Sequence, residues 1–151
     1  MKSYCTANSL SHYVVELCYK DEHPISNLQL QKMLYFLQVV YAKLTKGNEV
    51  LFCDDFYAWP YGPVIPAVYE EFSRYGGRVI EASFDEGSPC QDPEIMAFID
   101  QGIVLLREKS PWDLVELSHA KGSPWDKVYS GGRGYKQRIP LELIVKEVKA
   151  F

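Results

Sequence analysis

A chain of 151 residues with 47% hydrophobic side chains is long enough and apolar enough for one domain with a real core, which excludes a disordered segment. Its net charge of −4 argues against a phosphate backbone as main partner, because duplex binders carry a basic footprint. No stretch approaches the roughly 20 apolar residues of a membrane span, and the start Met1-Lys2-Ser3-Tyr4-Cys5-Thr6 has no signal-peptide core, so a cytoplasmic protein without membrane contact is expected.

Leu10, Tyr13, Val14, Leu17 and Cys18 recur at helical spacing, with Asn8 or Ser9 as the cap, and predict an amphipathic helix ending near Asp21 before His23-Pro24. Ser26 followed by Gln29 has the form of a capping box. The stripe Leu30, Met33, Leu34, Leu37, Val40, Tyr41, Leu44 then predicts a long helix as far as Gly47. Phe36 and Val39 widen its apolar arc, which places this helix at the centre of a bundle with neighbours on more than one side.

Between Val50 and Trp59 the pattern becomes two short runs, Val50-Leu51-Phe52 and Phe56-Tyr57-Ala58-Trp59, separated by Cys53-Asp54-Asp55, and reads as a hairpin or two short strands. Pro60-Tyr61-Gly62-Pro63 is a turn, since each proline fixes its own φ and pushes its predecessor out of the α region. Pro66 belongs in a first helical turn, so a helix is expected from Pro63 or Val64, burying Val68, Tyr69 and Phe72 before Gly76-Gly77. Arg78 to Pro93 reads as one weak strand at Val79-Ile80 and a surface loop.

Three Asp-Pro or Ser-Pro pairs then open helices: Asp92-Pro93, with Ile95, Met96, Ile99, Ile103, Val104 and Leu106 on its apolar face; Ser110-Pro111, through Leu117; and Ser123-Pro124, through Tyr129. Gly131-Gly132-Arg133-Gly134 is a flexible connection, and Ile139-Pro140 opens a last helix with Leu143, Ile144 and Val148 on one face. No repeat or linker divides the chain, so residues 1–151 are read as a single domain. The expected fold is α+β and predominantly α-helical, a compact multi-helix bundle with a small β-hairpin or short sheet.

Little in the sequence prepares a chemical step. GGRG lacks the spacing of a phosphate loop, and His12, His23 and His119 fall on separate elements without HExxH spacing, so neither a cofactor nor a metal is expected. Cys5, Cys18, Cys53 and Cys90 lack CxxC spacing and read as reduced thiols. GxSxG is absent, and no catalytic residue is assigned; a hydrolase or transferase using His119 with Ser118 or a cysteine remains the alternative from the enzyme class. The charge is unevenly spread: residues 51–100 carry ten acidic and two basic residues, a balance of −8, while residues 101–151 stand at +3. A patch of that sign steers or holds a basic partner.

Three segments, Ser26-Asn27-Leu28-Gln29-Leu30-Gln31-Lys32-Met33-Leu34-Tyr35-Phe36, Trp59-Pro60-Tyr61-Gly62-Pro63-Val64, and Leu117-Ser118-His119 with Ser123-Pro124-Trp125, stand in an order and spacing that resemble the Panacea antitoxin domain family. That family includes phage-associated GepA-like proteins and SocA-type antitoxins, and the resemblance covers roughly residues 10 to 130. It implies a mostly helical bacterial or prophage protein, encoded beside a small toxin that it neutralises by direct contact. In the SocA type it also implies an adaptor that delivers the toxin to a protease. Ser118 stands where the family pattern has Thr in a Thr-His pair, a change that keeps the hydroxyl.

The sequence therefore points to a non-enzymatic antitoxin whose partners are a toxin from an adjacent gene and, in the SocA manner, a protease. DNA is a less favoured partner, kept open as the autorepressor alternative by the basic C-terminal third. Asp54, Asp55, Trp59, Tyr61, Gly62, Glu70 and Glu71 are the expected contact residues, on loops where binding groups concentrate. Pro60, Pro63, Ser118, His119, Pro124 and Trp125 are expected to shape the fold beneath them, with Trp59 and Trp125 offering large flat faces to one end of the bundle.

Overall fold

The computed structural model describes residues 1–149, with side chains described as far as Lys146. Helix α1 spans Ala7–Lys20 and α2 Asn27–Leu44; strands β1 (Phe56–Trp59) and β2 (Gly62–Val64) form a hairpin; α3 is Pro66–Glu71. Helices α4 (Pro93–Arg107), α5 (Pro111–Ser118) and α6 (Pro124–Tyr129) follow, then β3 (Arg138–Ile139) and α7 (Leu141–Lys149). The fold is a predominantly helical α+β arrangement. The three strands form an antiparallel sheet in the order β2-β1-β3, with Trp59 opposite Gly62 and Phe56 opposite Ile139.

Helix α2 is the axis of the molecule, as its wide apolar arc requires. It packs against α1, α3, α4, α5, α7 and β2. Leu30, Met33, Leu34 and Leu37 are buried in one core with Leu10 and Val14 of α1, Ile99 and Ile103 of α4, Leu114 of α5 and Ile144 of α7. A helix enclosed on so many sides also buries polar side chains, and Asn27, Gln31, Lys32 and Gln38 are all buried. Each is hydrogen-bonded, as burial demands.

Those amides explain the first departure from the sequence reading. Val50-Leu51-Phe52 joins no sheet, and the chain bends at Leu51. The Gln38 amide oxygen accepts from Leu51 N at 2.8 Å, and its Nε2 donates to Phe52 O at 2.7 Å. The N-terminal segment supplies the remaining pairing, with Val50 N donating to Lys2 O and Tyr4 N to Leu51 O. The hairpin accordingly forms one segment later, between β1 and β2. Gly62 to Val64 are strand, and α3 begins at Pro66 itself, with Ile65 as its cap.

Other boundaries move for local reasons. Thr6, not Asn8 or Ser9, caps α1 in a reciprocal capping box with Ser9. At α2 only half of the expected box exists: Ser26 accepts from Gln29 N, but the Gln29 side chain turns to the carbonyls of Arg107 and Lys109. Val79-Ile80 makes a single bridge with Ser26, and the glycines after Tyr129 form a 3-10 turn that delivers β3, a strand not foreseen. Tyr69 is only partly buried. Val40, Leu44 and Val104 are exposed because α2 and α4 meet along one ridge, where a Cβ on Gly102 would lie 2.5 Å from Leu37 Cδ2, and the flanks stay uncovered. Val148 lies outside the residues whose side chains are described. Cys5, Cys18, Cys53 and Cys90 are free thiols. No described helix is long and apolar enough to cross a membrane.

Candidate functional site

The three segments singled out in the sequence meet at one place, beneath the turn of the β1–β2 hairpin. Lys32 reaches up from α2, fully buried, and its Nζ donates to Pro63 O at 2.9 Å. Among the described residues no carboxylate pairs with it, and burial drives its pKa down to about 7. Directly above, Gly62 sits at φ +112°, where L side chains are strained, and a Cβ there would lie 2.5 Å from Ser118 Oγ and 2.6 Å from Lys32 Cε. Only glycine lets the hairpin close onto α2 and the end of α5.

Ser118 and His119 form the opposite wall. The Ser118 hydroxyl donates to Val115 O at 2.7 Å, and Ser123 Oγ donates in turn to Ser118 O. His119 lies flat on Trp125, with ring centroids 3.8 Å apart and planes within 4°. Its Nε2 is enclosed and has no hydrogen-bond partner among the described residues, and burial, assisted by the Lys32 charge and opposed by Asp126, lowers its pKa. Trp125 Nε1 closes the node by donating to Trp59 O at 2.8 Å. Pro124 opens α6 at the position where a missing N–H costs nothing, which sets Trp125 on the first turn facing the hairpin. Ser118 and His119 are not aligned as nucleophile and base, since the hydroxyl is directed to a backbone carbonyl.

On the outer side of the hairpin the same elements present an aromatic groove of about 450 Å³. Trp59 and Tyr69 meet edge to face at 5.1 Å, and Tyr61 meets Trp112 of α5 at 5.3 Å. Tyr61 and Trp112 are 56% and 57% exposed. Asn27 and Gln31 lie on the groove's α2 side, tied to one another and to Tyr69 O and Ile65 N. Pro60 is exposed at the tip of the turn and Pro63 is buried beneath it.

The four expected acidic contacts are not alike. Asp54 Oδ1 accepts from Ala7 N at 3.0 Å and so completes the start of α1. Asp55 faces Arg138 of β3 at 3.6 Å. Glu71 is bound to His12 at 2.6 Å and to Asn8 at 2.9 Å; Glu86 holds the other nitrogen of the same imidazole at 2.6 Å, while Phe84 stacks on the ring at 4.0 Å. Glu70 alone of the four is exposed and has no side-chain partner among the described residues. Sequence reasoning had Lys32 inside a family segment, Tyr69 on a buried helix face and His12 among histidines without metal spacing, and gave none of these, nor Trp112, a part in the site. The readable signal for Lys32 was a cation inside the helix placed at the bundle's centre; Trp112 and Tyr69 join the groove only through contacts across the fold.

Comparison with known proteins gives a consistent result. The family described as "Antitoxin SocA-like, Panacea domain" matches residues 30–126, which contain the whole node from Lys32 to Trp125. Antitoxin SocA of Caulobacter vibrioides (strain NA1000 / CB15N) is 33% identical over 153 aligned residues, covering 95% of this chain and 80% of that protein. No solved structure matches.

Proposed function

This chain belongs to the SocA-like Panacea domain family of antitoxins, and from that premise we propose that it neutralises a toxin encoded by an adjacent gene through direct protein–protein contact. The observation that supports this reading is the division of labour at the hairpin. The residues carrying the family pattern, Lys32, Gly62, Ser118, His119 and Trp125, form a packed polar support, and above it the chain leaves Tyr61 and Trp112 largely in solvent. Large exposed aromatic rings on a rigid base are the composition of binding hot spots.

Asp55 and Glu70 are the acidic residues we assign to the contact, because their reversal does not remove a helix start or the His12 bridge. Asp54 and Glu71 act on the fold first. Delivery of the toxin to a protease, as in the SocA-type adaptor, is a second step with its own partner and is read out by the toxin's lifetime in cells. The primary test is co-expression of this chain with the product of the neighbouring gene. Restored growth together with co-purification of the two proteins is expected; a toxic neighbour that is neither bound nor relieved overturns the antitoxin reading.

A further inference from the structure

Building on that reading, we propose that Lys32 is a proton-controlled latch of the β1–β2 hairpin. Uncharged, it holds the hairpin down on α2; once it takes a proton the hairpin opens more often, and with it the aromatic face offered to the toxin. Lys32 is fully buried, and the acceptor it meets, Pro63 O at 2.9 Å, belongs to the hairpin itself. A neutral amine keeps that bond, whereas an ammonium in the same place is a charge taken out of water without a counter-ion. None of the elements around it supplies the missing anion. The hairpin, from Phe56 to Val64, contains no charged residue, and its titratable groups are Tyr57 and Tyr61. The end of α5 brings His119, which would add a second positive charge, and whose enclosed Nε2 has no partner among the described residues. Asp126 of α6 acts on His119, and its Oδ2 accepts from Gly122 N at 2.9 Å. Asp113 and Glu116 of α5, Lys127 of α6, Glu70 of α3 and Glu142 of α7 are exposed, and Glu71 is held by His12.

The hairpin is the part that yields. Its strands are four and three residues long, β3 pairs with β1 through two residues, and a ribbon of that size has little stability apart from its support. The side-chain bonds that seat it are that of Lys32, Gln31 Oε1 accepting from Ile65 N just beyond β2, and Trp125 Nε1 donating to Trp59 O. Gly62 leaves no slack above the lysine. Lys32 Cε lies 2.6 Å from the point where a Cβ would stand, so a hydrated ammonium has room only when the hairpin rises. Trp59 and Tyr61 rise with it, and their edge-to-face pairs with Tyr69 and Trp112 come apart. Burial holds the Lys32 pKa at about 7 against an ordinary 10.5, so opening takes up a proton between those values. Opening therefore becomes about tenfold rarer with each pH unit across that range, and is level below it.

The latch is read on the free full chain, without the toxin. Hydrogen exchange of the β1 and β2 amides and of the Trp125 indole N–H is followed by NMR at pH 7 and pH 8.5 and corrected for intrinsic rates. Protection is expected to be about fifteenfold higher at pH 8.5, in a window above the range in which His119 titrates. Lys32→Met is expected to remove that difference. Hairpin amides that exchange no faster than those of α1 and α2 overturn the latch, because the hairpin then opens only with the whole chain. Protection that is level across the two pH values, or a difference that survives in Lys32→Met, overturns it as well. Toxin from the neighbouring gene, at about ten times its Kd, is expected to raise hairpin protection about tenfold at both pH values. Toxin that binds without raising it overturns the latch's part in the contact. Toxin that does not bind overturns the antitoxin reading and leaves the latch, measured without it, standing.

Discussion

Lys32 is the residue at which local chemistry and position conflict most. A lowered lysine pKa means that the folded chain releases a proton that the unfolded chain keeps. Between about pH 7 and 10.5 the unfolded state therefore binds more protons at this site, and stability rises with pH; below pH 7 the full penalty is present. A shift of that size corresponds to a penalty on the order of 5 kcal/mol. Lys32→Met keeps the volume and removes the charge, at the cost of the bond to Pro63 O, worth about 1 kcal/mol. Denaturant unfolding at pH 6 is expected to find the variant more stable than the parent, and at pH 10 slightly less stable; the same difference at both values would show that the charge is not the cause. Gly62→Ala probes the same node from above. With φ at +112° and Ser118 Oγ in the path of the new methyl, a loss of about 2–4 kcal/mol in unfolding free energy is expected.

Among the elements, α2 does more than present an apolar stripe. Its glutamines serve as pairing partners for chain that passes over it: Gln38 for Leu51 and Phe52, Gln31 for Ile65. This is why Val50-Leu51-Phe52, with the composition of a strand, needs no neighbouring strand. Gln38→Leu preserves helix propensity and adds apolar surface, yet leaves Leu51 N and Phe52 O unpaired in the core. Unfolding experiments should find it less stable by about 2–4 kcal/mol; a neutral or stabilising result would mean that water or a shifted segment replaces the amide. The proline-opened helices behave as their sequences require, because Asp92, Ser110 and Ser123 each cap through their own side chain within a few residues. The hairpin's exact span was not readable in the same way, since it depends on which segment α2 satisfies first.

Across the whole molecule the acidic middle of the chain is partly consumed by the fold. Glu71 and Glu86 clamp His12, which ties α1 to α3 and to the loop after Ile80, and Asp54 completes α1. Single reversals therefore divide into two groups. Asp54→Lys and Glu71→Lys are expected to lower Tm by several degrees, about 1 kcal/mol or more each. Asp55→Lys with Glu70→Lys is expected to leave Tm nearly unchanged and to slow association with a basic toxin, an effect that shrinks as salt is raised from 50 to 500 mM. Salt-independent association of both proteins would remove electrostatic steering from the account.

Short-range signals were enough for the helix count, the capped starts, the central place of α2 and the family pattern, because caps, proline geometry and apolar periodicity act over a few residues. Which surface that pattern builds was a matter of contacts between segments far apart in the chain. Lys32, Gly62, Ser118 and Trp125 acquire their roles from one another, and Tyr61 becomes half of an exposed pair only when α5 brings Trp112 beside it. The pairing of Asp54 with α1 and of Glu71 with His12 was hidden for the same reason. A carboxylate's partner depends on its distance through space, and sequence records only distance along the chain.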